Sequence, residues 1–500
     1  MKKKNTFFSL ISLFAILSLT SCGFDTLESI LNEKYSEFVE NNGDEINSNT
    51  PSIDTGNSIK LLDNAFNSKV DANGNSLLED YTSVSYSNEF EHAERLSINK
   101  NVLDLDYCNY LPPSTGKVNG LVIPVEFPDA RAKTISNTNI LPTYQSVSSY
   151  YYNTSYGKLN MSFDVLDWQM MSKKSSYYEK LSTGYHGEVP GVSAIIHEVL
   201  NNIKDKVDLS KYDNNNDKVI DSLYIIYSAP IDSYSDLWWA FQYTVYETKE
   251  YNGYQAGYYV FAGYDFLFEE DQTCNTQTYI HETGHMFGLE DYYDYDDNEG
   301  YSKGGLGGAD MMDYNIGDHN PFSKLATGWI ENPILVNLKE DEETTITINS
   351  FSKNGDCIMI CDSYNSSKGM FQDYFLLSLI DCDSILNKGQ YPYTIDGIRV
   401  YRVHGEVDTI TEDGTDYTYF KYDNSYTKYN LLDAINNNKV KQIYANYEYM
   451  ELCSKDSDLF IEGDSISNLN YYDNLLYKSK YGFEVLKIEN DKATIRIFKK

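Results

Sequence analysis

The sequence predicts an α+β domain with a mixed sheet and an active-site helix over residues 111–335, followed by an all-β, sandwich-like domain over 336–500. Three observations carry this. Apolar strand-like runs alternate with helical stripes in the first half. A His-Glu-x-x-His segment then ends on a glycine. Beyond residue 336 only short alternating runs between polar turns remain, among them 344–348, 374–379, 398–403 and 493–498, which is the pattern of a sandwich.

Taken in order, residues 1–21 have three lysines, an apolar run from Phe7 to Leu19 and then small residues. That is the layout of a secretory signal, too short to span a bilayer. Leu19-Thr20-Ser21-Cys22 resembles a lipobox, so Cys22 is expected to carry the lipid that holds the mature chain on the outer face of a bacterial cell membrane. Residues 22–110 turn Asn-, Ser-, Gly- and Asp-rich and read as a tether or pro-segment, whose Cys108 is a candidate metal-blocking thiol. Val118–Phe127 reads as a buried strand, 147–154 as a helix and Leu159–Val165 as a second strand. Val192, Ile195, Ile196, Val199, Leu200 and Ile203 form one helical stripe, with His197 off it and expected in solvent.

Between that helix and a strand expected over 219–227 lies Asp213-Asn214-Asn215-Asn216-Asp217-Lys218-Val219-Ile220-Asp221. Oxygen-bearing side chains at Asp213, Asn215, Asp217 and Asp221 suit a Ca2+ loop, although Lys218 and Tyr224 stand where an EF-hand needs glycine and glutamate. Asp294, Asp296 and Asp297 make a second, weaker Ca2+ candidate.

The chemistry converges on 279–297. His281 and His285 lie four apart, so a helix over 276–287 points both imidazoles one way, onto a single Zn2+. Glu282 is rotated off the pair, where a base acting on a water at the metal belongs. Gly288 can take a positive φ and turn the chain back. Asp291 is then the expected third ligand, with Glu290 and Asp294 as alternatives. A glycine-rich run, 304–308, leads to Met312, read as a methionine turn beneath the metal, with Met311 as the alternative; Tyr314 follows as a candidate for the metal or the oxyanion.

Composition bounds these readings. Five hundred residues, 41% hydrophobic, suffice for two cores, and a net charge of −35 argues against nucleic acid and for solubility and cation binding. Cys108, Cys274, Cys357, Cys361, Cys382 and Cys453 show no metal-ligand spacing, and a pair of Cys357 with Cys361 or Cys382 stays open. His319 and His404 are expected to serve packing or turns.

His281-Glu282-x-x-His285-x-x-Gly288-x-x-Asp291 with a later methionine turn resembles the metzincin-type metallopeptidases with an aspartate ligand, best the immune inhibitor A family. Further stretches resemble it in order: 116–129, Ser155–Leu159, Leu289–Asp294, and Pro321–Leu325 through Trp329, with fainter likeness at 373–377 and 397–401. Small glycine-bearing residues commonly follow the methionine there, whereas Met312-Asp313-Tyr314 stands here. The resemblance implies a metzincin-like catalytic domain, a β-rich C-terminal part and zinc-dependent hydrolysis of extracellular proteins or peptides. Two rivals are an adhesin-like surface protein that keeps the fold without turnover, and a peptidase selective for glycoproteins.

Overall fold

The computed structural model describes residues 60–61, 81, 89–98, 101–105, 108, 110–132, 137–182, 189–232, 235, 237–245, 249–267, 273–274, 276–293, 305–412, 415–437, 453–471 and 478–500. The signal, Cys22 and the Asp294–Asp297 candidates lie outside them. No helix among the described residues is long and apolar enough to cross a membrane.

The molecule is mixed α and β, with several sheets and a β-rich C-terminal region. Its first large sheet is built from β1 (Gly116–Glu126), β2 (Leu159–Val165), β3 (Leu223–Tyr227), β4 (Phe241–Thr244) and β5 (Tyr258–Gly263), in the order β2-β1-β3-β5-β4. All neighbours are parallel except β4, which runs antiparallel to β5 at the edge.

Covering both faces explains why β3 is buried at every position although side chains alternate along it. Tyr224 and Ile226 meet helix α1 (Asn137–Thr154) and, on the same side, Tyr279 and Ile280 of the helix that carries the two histidines. Leu223, Ile225 and Tyr227 meet α2 (Val189–Ile203) on the other. The strand expected over 219–227 is in fact broken at Asp221 and Ser222: Val219–Ile220 pairs with Gln255–Ala256 in a separate small sheet. His197 corrects another expectation. It is off the apolar stripe yet 4% exposed, because the Glu250–Tyr251 strand folds over it and Tyr251 hydrogen-bonds its Nδ1.

Helix α3 (Gln277–His285), which carries His281 and His285, is followed by two short helices, α4 (Met311–Tyr314) and α5 (Pro321–Ala326). Each begins on a side-chain cap: Asp310 accepts from the Met312 N–H, and Asn320, with Pro321 behind it, accepts from Ser323 N–H.

The C-terminal part is a sandwich. Six strands run Ala93–Arg95, β6 (Ile334–Val336), β8 (Cys357–Ile360), β9 (Asp373–Ile380), β10 (Gly397–His404) and β11 (Leu432–Ile435). They face β7 (Glu343–Asn349), β13 (Lys492–Lys499), β12 (Tyr481–Glu489) and Ser465–Ile466. Ile346, Ile358, Leu377, Val400, Phe483 and Ile495 fill the space between.

The six-stranded sheet is also covered on its other face. Leu335, Met359, Leu376, Tyr401 and Leu432 share a core with Leu289, Tyr292, Met312 and Phe322. The segments 289–292 and 312–322 and the sandwich are therefore joined through apolar contact. From the chain ahead of β1, Ile98, Val102, Leu105, Cys108 and Leu111 belong to the same core. Ala93–Arg95 pairs with β6, Arg95 meets Asp356 at 2.8 Å, and Ile98, Val102, Leu105 and Cys108 are buried. Where described, this segment is a packed element, not a free tether. Neither pairing left open for Cys357, with Cys361 or with Cys382, is formed: Cys357 and Cys361 are both turned into that core.

Candidate metal centre

Helix α3 lies almost wholly inside the protein: Tyr279 to Gly284 are all buried. Its imidazoles sit with ring centroids 4.9 Å apart. After His285 the chain turns at Gly288 with φ +75°. A Cβ there would lie 3.0 Å from Cys108 Sγ and from Val102 Cγ1, so the position needs glycine for both backbone and space. The turn returns Asp291 to the histidines.

Asp291 Oδ1 stands 3.1 Å from His281 Nε2 and 3.4 Å from His285 Nε2. His281, His285 and Asp291 form the one group of three or more His, Cys, Asp or Glu among the described residues whose ligand atoms converge, all within 4.8 Å of one another. Glu290 is described but is not part of it.

Whether this trio fits a cation depends on where its protons lie. His281 Nδ1 is 2.9 Å from the Met311 carbonyl, and His285 Nδ1 is 2.7 Å from the Leu289 carbonyl. A carbonyl only accepts, so each Nδ1 carries a proton and donates it. Both Nε2 atoms then face Asp291. Oδ1 of Asp291 is buried and, despite its closeness to both rings, makes no hydrogen bond of acceptable geometry. Two outward-anchored imidazoles and an orphaned carboxylate oxygen match the donor set of a divalent transition metal.

Electrostatics agree. Burial pushes the Asp291 carboxyl up, but the two histidines, His285 foremost, outweigh it and hold it below the usual carboxylate range. Burial pulls His285 down, yet Asp291 beside it lifts the ring to about 10. His281 is raised by the same contest. In the metal-free protein these protons balance the carboxylate, and a divalent ion would replace them. Glu282, 7% exposed, is raised by burial, with the histidines opposing and Asp291 assisting. A carboxyl lifted this way is a stronger base when ionised.

Met312 lies against the floor of the site. A Cβ on Gly284, between the histidines, would fall 2.5 Å from Met312 Sδ. Met312, not Met311, therefore packs under the helix, while Met311 contributes the carbonyl that fixes His281. The turn is held by acids. Asp310 accepts from Met312 N–H and from the Asn320 backbone and amide, and Asp313 accepts from Leu306 and Gly308 N–H. Tyr314 ends α4, partly exposed, its phenol raised by burial. His319 is caged by Tyr150, Tyr151 and Trp329, and burial followed by Lys324 keeps it neutral. His404 is buried beside Tyr422 and Tyr429.

The acidic loop behaves differently. Asp213 accepts from the Asp217 and Lys218 N–H groups, Asn215 from Asp217 N–H, and Asp217 from Val219 N–H. Asp221, lifted to about 7 by burial, takes the Asn214 backbone and amide. These four residues share a loop but do not converge like the histidine site.

No protein-family model matches the chain, and no curated protein shows significant similarity to it. The reading of the site rests on its own residues.

The sequence left the scaffold unread. Asp310 and Asn320 each stand one residue before a short helix, a capping signal that was legible locally. Their shared hydrogen bond was not, since nothing local joins positions ten apart across a turn.

Proposed function

We propose that this chain is a zinc-dependent endopeptidase of metzincin type, exported and held at the cell surface by a lipid on Cys22, that cleaves extracellular proteins. The observation that carries the reading is the convergence of buried His281 with the half-buried His285 and Asp291, with buried Glu282 beside them. Zn2+ held by that trio would supply the positive charge that polarises a scissile carbonyl and acidifies a water.

The chain's own groups then do the rest. Glu282 takes the proton as the water oxygen bonds to the carbonyl carbon, and returns it to the nitrogen as the C–N bond breaks. Asp310 and Asp313 keep the floor fixed through their N–H bonds. Strand β4 packs on α3 and has no strand on its outer side among the described residues. An extended peptide can add there through main-chain hydrogen bonds, which suits a protein substrate.

The test is Glu282→Ala. It should keep one zinc per chain by mass spectrometry and lose casein cleavage by about 10²–10⁴-fold. Cleavage at the wild-type rate would remove the assignment.

A further inference from the structure

The segment bearing the third ligand is gripped by a side chain from the sandwich. Asn424 is 4% exposed and lies in the loop that leads into β11. Its Nδ2 donates to the Tyr292 carbonyl at 2.8 Å and to the Leu432 carbonyl at 2.9 Å, and its Oδ1 accepts from Leu432 N–H at 3.1 Å. The amide is thus fully used, one end on β11 and the other on the residue after Asp291. Ser425 Oγ donates to the next carbonyl, Tyr293, at 3.3 Å. The loop itself is fixed by Asp423, which accepts from Ser425 and Tyr426 N–H.

We infer that Asn424, assisted by Ser425, is a positioning residue for the metal centre, through which the C-terminal sandwich sets the aim of Asp291. This rests on the reading of His281, His285 and Asp291 as ligands. Residues 289–293 form no helix or strand, so the ligand's direction depends on peptide planes that regular hydrogen bonding does not hold. Three other contacts share the task from the near side: Tyr292 N–H on the Met312 carbonyl, Tyr292 Oη on Ser323, and Leu289 on the His285 ring. Asn424 fixes the far side. A ligand must be held to about 0.5 Å to keep its metal geometry. Aspartate at 424 would replace the donor with an oxygen aimed at two carbonyls, and glutamine would not fit the same span.

The test measures Zn2+ affinity by chelator competition and the visible spectrum of the Co2+-loaded full chain, at a temperature where every variant is folded. Asn424→Ala and Asn424→Asp should lose roughly 10–100-fold in Zn2+ affinity, as removal of an outer ligand support does, and shift the Co2+ spectrum. Ser425→Ala should lose severalfold. Ile346→Ala, which opens the sandwich core remote from the clamp, gives the effect of lost stability alone and should keep wild-type affinity and spectrum. Wild-type affinity in Asn424→Ala overturns the inference, as does an equal loss in Ile346→Ala. Should Asn424→Ala fail to fold, Ser425→Ala decides, and no loss there overturns it. Asp291→Ala separates the two levels: if that variant binds Zn2+ like wild type, the ligand assignment itself falls and the clamp with it.

Discussion

Two places in this chain gather ligand-type side chains, and they differ in what those side chains have already spent. Around 213–221 the carboxylate and amide oxygens accept backbone N–H groups and so shape their own turn. At His281, His285 and Asp291 the protons point away, to the Met311 and Leu289 carbonyls, and the facing atoms are left to one another. A cation site is recognised by donors that the fold has not otherwise satisfied, and residue type alone does not reveal that.

The largest effect that can break this contrast is at the ligands. Asp291→Ala or His281→Ala should cost well over about 100-fold in Zn2+ affinity, since each removes one of the three ligands proposed above, whereas Asp217→Ala should leave zinc content unchanged. Metal analysis of purified protein checks both, and zinc loss in Asp217→Ala would erase the distinction. Next comes the floor. Gly284→Ala drives a methyl into Met312 Sδ and should destabilise by about 1–3 kcal/mol with weakened zinc binding, measured by denaturant unfolding and chelator competition.

The pH dependence sharpens the contrast further. His285 in the folded, metal-free protein is raised to about 10. Its contribution is therefore fully present below the unfolded value near 6.5 and is lost as pH rises toward 10. Chelated protein should lose Tm across that window, and Zn2+-loaded protein should not show this fall, since the ion displaces the protons. A parallel fall in both forms would mean that the trio does not hold the ion. The smallest effect belongs to the acidic loop. If its half-spent oxygens take Ca2+, affinity should be weak, about millimolar, and about 10 mM Ca2+ should raise Tm by roughly 2–4 °C in wild type and not in Asp213→Ala. A Tm indifferent to Ca2+ would leave the loop as a turn only.

What could be read from the chain was whatever is written locally. The His281–Asp291 spacing and the glycine at 288 reappear in place, and the runs 374–379 and 398–403 do form strands, although those strands are buried on both faces and not on alternate positions. The helix expected over 147–154 starts earlier, at Asn137, because its first turns carry mostly polar residues and no stripe. His197 was misread because burial by a partner strand leaves no mark on a helix's own stripe. Asn424 lay beyond reach for the same reason: its contact with Tyr292 spans 132 positions, and an asparagine in a polar loop looks like any other.

The short strand Ala93–Arg95 forms the border of the six-stranded sheet, seated beside β6 although the two are far apart in the chain. Should a protease nick or strip residues 89–98, the row of amides and carbonyls on Ile334–Val336 would be bared. An uncapped border of that kind templates pairing between molecules, so damage at this distant point should show first as oligomers and precipitate and only later as lost chemistry.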